Sequence, residues 1–308
     1  GVVSKNKSQK SEPIIGKSIR YIVAAVIFND DNEVLMIEES KAKCRHKWSL
    51  PSGKAEPNEQ IVDAVKREAF EESGLEIEPT ALVVVESSGG NWFRFTFTAR
   101  VIGGQLKTVA DAESIQALWC SQQFLQKANL RSEDTLNMIE FVRKSDKSYN
   151  PFIGSQFVAI EGHNRTLLRL VFAVERRRDQ FVLVSELPSP HLPVCDIHPT
   201  NSLNVTLNNF IKWIFMTSNI ANHWPLGVFT VEHNGVPEHS HDGLCLTVLV
   251  KGKGFIDAID RPPRDYAWIR LSQPLESVLN TCLNSPKSEL IYWRAKYWSK
   301  RKANKSFS

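Results

Sequence analysis

The sequence predicts an α/β fold in two parts, a strand–helix–strand unit over residues 18–145 and a second α+β unit over 155–308. Three features carry this. Tyr21–Phe28 is an unbroken apolar run of strand length. Asn91–Thr98 alternates aromatic and polar residues with the period of a half-buried strand. Between them, Val62, Val65 and Ala69 form an apolar stripe at helical spacing beside a dense acidic face.

The elements follow in order. Residues 1–17 set Lys5, Lys7, Lys10 and Lys17 among Ser, Asn and Gln, and are expected to be a disordered tail. The chain opens on Gly1 rather than Met, which leaves its natural N-terminus open. The first strand ends at the turn Asn29–Asn32, and Glu33–Glu38 returns as its partner. After the helix, Gly74 stands where a C-cap favours a left-handed residue. Ala81–Glu86 and Asn91–Thr98 read as strands around a Ser-Ser-Gly-Gly turn, and Asp111–Trp119 leads into a last strand. A helix over about Ser132–Lys144 closes the unit, and the polar stretch Arg143–Pro151 marks a boundary.

Beyond the boundary the order repeats. Leu167–Val174 and Gln180–Ser185 mirror the opening strands, Leu192-Pro193 stands where Leu50-Pro51 stood, and Leu203–Met216 has a helical pattern. Strands at Gly227–Glu232, Gly243–Val250 and Tyr266–Leu271 complete the parallel. Residues 203–216 contain no acid. The second unit is therefore either a degenerate, metal-free copy of the first or an unrelated α+β domain.

The chemistry concentrates in Gly53-x5-Glu59-x7-Arg67-Glu68-Ala69-x-Glu71-Glu72-x-Gly74-Leu75. Glu68, Glu71 and Glu72 stand at i, i+3 and i+4, within an arc of about 100° on a helix. Three like charges on one face repel, and a hard divalent cation with oxygen ligands, Mg²⁺ or Mn²⁺, resolves the repulsion. A solvated Glu-rich helix needs no such order of Gly, Glu, Arg and three glutamates.

That order matches the Nudix box, and the chain resembles the Nudix hydrolases. The flank Trp48-Ser49-Leu50-Pro51-Ser52-Gly53 is similar to the family's W-x-L-P-G-G entry, with Ser52 at the first glycine. The resemblance implies an α/β/α sandwich and Mg²⁺-dependent hydrolysis of diphosphate linkages in nucleotides. It implies metal contacts from Glu68, Glu71, Glu72, the Gly53 carbonyl and Glu113. Glu59 pairs with Arg67 to orient the glutamates, and Gly74 is structural. Glu68 is the expected base, with Glu71, Glu72 and Glu113 as alternatives. Leu35, Ser52 and Gly53 fall on the substrate side. Outside the box, the stretches Ala110–Trp119 and His241–Val250 resemble the branch that hydrolyses 8-oxo-dGDP to 8-oxo-dGMP and phosphate. Other Nudix substrates (ADP-ribose, NADH, dinucleotide polyphosphates) stay open. So does a nucleotide-binding regulatory role, which the intact triad disfavours.

Composition narrows the rest. No apolar run has the length of a membrane span, and the polar, basic start carries no signal-peptide pattern. Five cysteines without metal spacing are expected as reduced thiols of a cytoplasmic protein. A net charge of +4 is too mild to imply stable nucleic-acid binding. His239-Ser-His241-Asp242 lacks a further Cys or His nearby and reads as a polar loop. The oligomeric state is not legible.

Overall fold

The computed structural model describes residues 12–144, 158–216, 223–252, 259–284 and 290–295. In the first half, β1 (Arg20–Val26) runs parallel to β6 (Trp92–Gly104), flanked by antiparallel β5 (Leu75–Ser87) beyond β6 and β4 (Ser52–Lys54) beyond β1. A smaller sheet joins β2 (Val34–Glu39) to β3 (Trp48–Ser49) and β7 (Ser114–Cys120). The alternation of the strands divides their side chains between two helical layers. Val23, Val85 and Phe95 pack with Ile61, Ala64, Val65 and Ala69 of α1 (Ile61–Ser73). Val26, Val34 and Val84 pack with Met138, Ile139 and Val142 of α3 (Asp134–Lys144), which follows the short α2 (Gln122–Lys127). The result is the expected α/β/α sandwich.

The second half repeats most of the pairing scheme, with no counterpart strand to β3 among its described residues. β9 (Thr166–Arg176) runs parallel to β13 (Leu244–Gly252), as β1 does to β6. β12 (His223–Glu232) lies antiparallel beyond β13 as β5 beyond β6, and β11 (Val194–Asp196) pairs β9 as β4 pairs β1. β10 (Asp179–Ser185) pairs β14 (Tyr266–Arg270) as β2 pairs β7, and additionally pairs β9. α4 (Leu203–Phe215) takes the place of α1, and α5 (Gln273–Asn284) follows β14. A parallel strand is added outside each copy: β15 (Tyr292–Ala295) on β5 and the two-residue β8 (Val158–Ala159) on β12.

The halves are interlocked. Ile291 exchanges backbone hydrogen bonds with Val228 at 2.9 and 3.0 Å, and the next residues join the first sheet as β15. Tyr21 Oη donates to the Asp242 carbonyl at 2.8 Å, and the buried Asp242 carboxylate accepts the Ile15 N–H at 2.8 Å. One apolar cluster holds Tyr21, Phe93 and Phe95 together with Leu168, Leu244 and Leu246.

One sequence expectation needs adjustment, and another falls largely outside the described residues. Residues 1–11 of the expected tail lie outside the described residues, but residues 12–17 are not a free tail. Ile15 is buried and bridged to Ile19 because the Asp242 carboxylate captures its amide. The expected boundary stretch lies outside the described residues from 145 onward.

A core shared in this way should melt as one unit. Denaturant unfolding followed by tryptophan emission and by far-UV circular dichroism is expected to give coincident single transitions. Ile291→Ala, which empties a site buried between both sheets, is expected to cost about 2–4 kcal/mol. Two separated transitions would show the halves to be independent.

Candidate active site

α1 ends on Gly74, which adopts φ 75° and returns its N–H to Phe70 O at 2.8 Å. The helix carries Glu68, Glu71 and Glu72 toward β4. Glu72 is only 1% exposed. Its Oε2 accepts the Ser52 N–H at 2.8 Å, and its carbonyl accepts from Ser114 Oγ at 2.5 Å. Glu68 lies directly beneath Gly53, where an added Cβ would stand 1.9 Å from the Glu68 carboxyl carbon. Glycine is required here by space. Glu71 points outward, its side chain 41% exposed.

Arg67 gathers these groups. Its Nε and Nη2 bind the two Glu59 oxygens at 2.8 and 2.9 Å, and Nη2 also donates to Lys54 O at 2.9 Å. Nη1 donates to Glu68 Oε1 and Glu71 Oε2, each at 3.0 Å. The bond with Glu59, foremost, raises the guanidinium pKa further.

Burial, with Glu68 and Glu39 nearby, pushes Glu72 up to about 8, against the Ser52 N–H and Lys41. Burial raises Glu68 as well, and Arg67 opposes it. The donors are all oxygen, and one is so short of positive charge that it holds a proton near neutral pH. That set fits a hard divalent cation, whose charge would replace the proton.

Two lysines at the site have no place in the motif. Lys41 Nζ stands 3.2 Å from Glu113 Oε2 and 4.0 Å from Glu72 Oε1, so it ties Glu113 to the carboxylate cluster. The basic run Lys41–Lys47 just before the acidic box was the available signal. Lys107 Nζ donates to the Glu71 carbonyl and to Asp111, closing the last turn of α1. Ser52 contacts the site through its backbone. Leu35 is wholly buried in the core with Ile37 and Ala117, paired with Trp119 on β7.

The second half carries none of this set. Gly53 pairs with Val23 and Cys195 with Leu168, and eight residues separate Gly53 from Ile61 and Cys195 from Leu203. In that register Phe210, Trp213 and Ile214 stand where Glu68, Glu71 and Glu72 stand in α1. Phe210 and Trp213 stack with ring centroids 6.2 Å apart. In the loop with His239, Asp242 docks the halves together, and His241 Nδ1 lies 2.5 Å from Val236 O. His163, Glu232 and Cys245 come within 4.8 Å of one another, but His163 and Arg169 already occupy both Glu232 oxygens. Among the described residues no disulfide joins any of the cysteines, and no helix is long and apolar enough to cross a membrane.

A family profile described as a NUDIX domain matches residues 19–141. The chain is 36% identical over 277 residues to the 8-oxo-dGDP phosphatase NUDT18 of Mus musculus, covering 85% of this chain and 84% of that protein. The Homo sapiens protein of the same name is 35% identical with the same coverage. That of Danio rerio is 33% identical over 81% of this chain and 78% of its own.

Gly53→Ala is expected to displace Glu68 and to cut kcat/KM by about 10² or more, since misplacing a reacting group by about 1 Å carries a penalty of that order. The fold should survive, which circular dichroism would verify. Cation binding should require loss of the Glu72 proton. Below about pH 8, affinity measured by calorimetry is expected to rise by up to about tenfold per pH unit and then level off. A flat profile between pH 6.5 and 8.5 would exclude Glu72 from the cation site.

Proposed function

The chain belongs to the Nudix hydrolase family, and from that premise we propose that it hydrolyses 8-oxo-dGDP to 8-oxo-dGMP and phosphate on the carboxylate face of α1. The convergence of Glu68 and Glu71 on Arg67, with Glu72 held by the Ser52 amide, supports this most directly. The base preference is supported by relatives whose likeness runs through both halves of the chain.

Water attacks phosphorus and the bridging P–O bond breaks, releasing the monophosphate. Glu68 takes the proton of the attacking water, a contribution of about 10²–10⁴ in rate. Arg67 does not react; it fixes the rotamers of Glu68 and Glu71, while Glu59 and Lys54 O fix Arg67. Mg²⁺, or Mn²⁺ in its place, would be held by Glu68, Glu71, Glu72 and the Gly53 carbonyl, with Glu113 within reach beside Lys41. When bound it neutralises the diphosphate oxygens and lowers the pKa of water. The second half is catalytically silent, because aromatic and aliphatic side chains occupy the carboxylate positions of its helix. Cysteines without disulfides suit a reducing, cytoplasmic setting.

A panel of 8-oxo-dGDP, dGDP, 8-oxo-dGTP, ADP-ribose and NADH, assayed in Mg²⁺ with products identified, tests the reading. The oxidised guanine diphosphate is expected to give the highest kcat/KM, and Glu71→Gln or Glu72→Gln to lower it by orders of magnitude with the fold intact. Equal values for dGDP and 8-oxo-dGDP, or preference for ADP-ribose, would leave a Nudix pyrophosphatase of other specificity. Binding without turnover of any of them would point to a regulatory role.

A further inference from the structure

Two deeply buried oxygens of the first half have no hydrogen-bond partner: Glu86 Oε1 and Thr96 Oγ1, on side chains 0% and 1% exposed. Such acceptors are rare in folded proteins, because an unmet one costs the full desolvation of the group. Both sit on the α3 face of the sheet. One row of paired residues there runs Lys54, Ile22, Arg94, Glu86, and the next runs Ser52, Ala24, Thr96, Val84. The second row begins at Ser52, whose amide holds Glu72. Glu86 lies three strands from β4, roughly 14 Å across the sheet.

The second half supplies a comparison inside the same molecule. Its matching rows run Asp196, Leu167, Cys245, Glu232 and Val194, Arg169, Thr247, Thr230. Glu232 therefore stands at the place of Glu86, Thr247 at that of Thr96, and Arg169 at that of Ala24. Arg169 donates to Glu232 Oε1 and, at 3.4 Å, to Thr247 Oγ1. His163 Nε2 pairs with Glu232 Oε2 at 2.9 Å, as Arg94 pairs with Glu86 Oε2. The same two acceptors thus meet a guanidinium in the silent half and nothing in the active half, where a methyl group replaces the arginine.

We infer that Glu86 and Thr96 form the base-reading site, accepting the N1–H and 2-amino hydrogens of a guanine ring whose N–C–N edge is chemically a guanidine. This rests on the proposed function and extends it to the residues that select the base. A guanine edge offers the planar pair of N–H donors that Arg169 offers in the second half. The other Glu86 oxygen stays on Arg94, which faces Asp134 at 3.8 Å, and Arg294 of β15 holds Asp134 at 2.7 Å. Arg294 is a positioning residue, and through it the second half braces the base site of the first.

The test compares kcat/KM for 8-oxo-dGDP with that for the 8-oxo-deoxyinosine diphosphate, which lacks the 2-amino group. The full-length wild type is compared with Glu86→Gln and the isosteric Thr96→Val. The wild type is expected to favour the guanine substrate by about tenfold or more. Each variant should lose about tenfold to a hundredfold on it, bringing the ratio toward one, with Thr96→Val melting close to the wild type. Folded variants that keep the wild-type ratio would show that the two oxygens hold internal water only, and the base assignment would fall. A wild type that ignores guanine diphosphates but turns over another nucleotide would sink the functional reading itself.

Discussion

The active half is organised around one guanidinium. Arg67 meets both oxygens of Glu59, one oxygen each of Glu68 and Glu71, and the carbonyl of Lys54. Carboxylates that would otherwise repel on one helix face share its charge, so they converge rather than splay. Because Arg67 also grips Lys54, the helix is fastened to β4, and Gly53 can lie against the Glu68 carboxyl only by having no side chain. Glu72 alone receives no contact from Arg67. It is held by a backbone amide and approached by Lys41, and burial pushes its carboxyl up to about 8.

Interlock between the halves gives the second one a structural role in the first. Its last described strand completes the first sheet, its Asp242 loop fastens residues near Ile15 and Tyr21, and the core passes through both. Gly235 approaches so closely that an added Cβ would meet the Glu59 carbonyl at 2.3 Å. Glu59 is the residue on which Arg67 leans, so the second half presses against the support of the carboxylate cluster.

Comparison of the two copies also separates fold from chemistry. The step of eight positions from Gly53 to Ile61 recurs from Cys195 to Leu203, together with the parallel central strands. Carboxylates give way to Phe210, Trp213 and Ile214, and the glycine that made room for Glu68 gives way to Cys195. With the carboxylate gone, the space restriction at that position goes too. Burial of Phe210 and Ile214 stabilises α4 without any cation to neutralise.

Periodicity and the spacing of the box were sufficient to place α1, α4 and the longer strands, though not the short β3, β4, β8, β11 and β15, because those signals are local: a strand alternates by two, a helix by about 3.6. Gly74 as a helix cap was legible for the same reason, while the Glu59–Arg67 pairing came only with the resemblance to the Nudix box. The repeat in the second half was visible as an order of elements, though not as a register. Contacts between residues far apart in the chain were decided by tertiary structure alone. Lys41 reaches Glu113, Ile15 binds Asp242, Arg294 binds Asp134, and β15 crosses to the first sheet. The isolation of Glu86 Oε1 and Thr96 Oγ1 was equally hidden. Whether a buried oxygen has a partner depends on what neighbouring strands place opposite it, and a sequence lists residues without saying which ones meet.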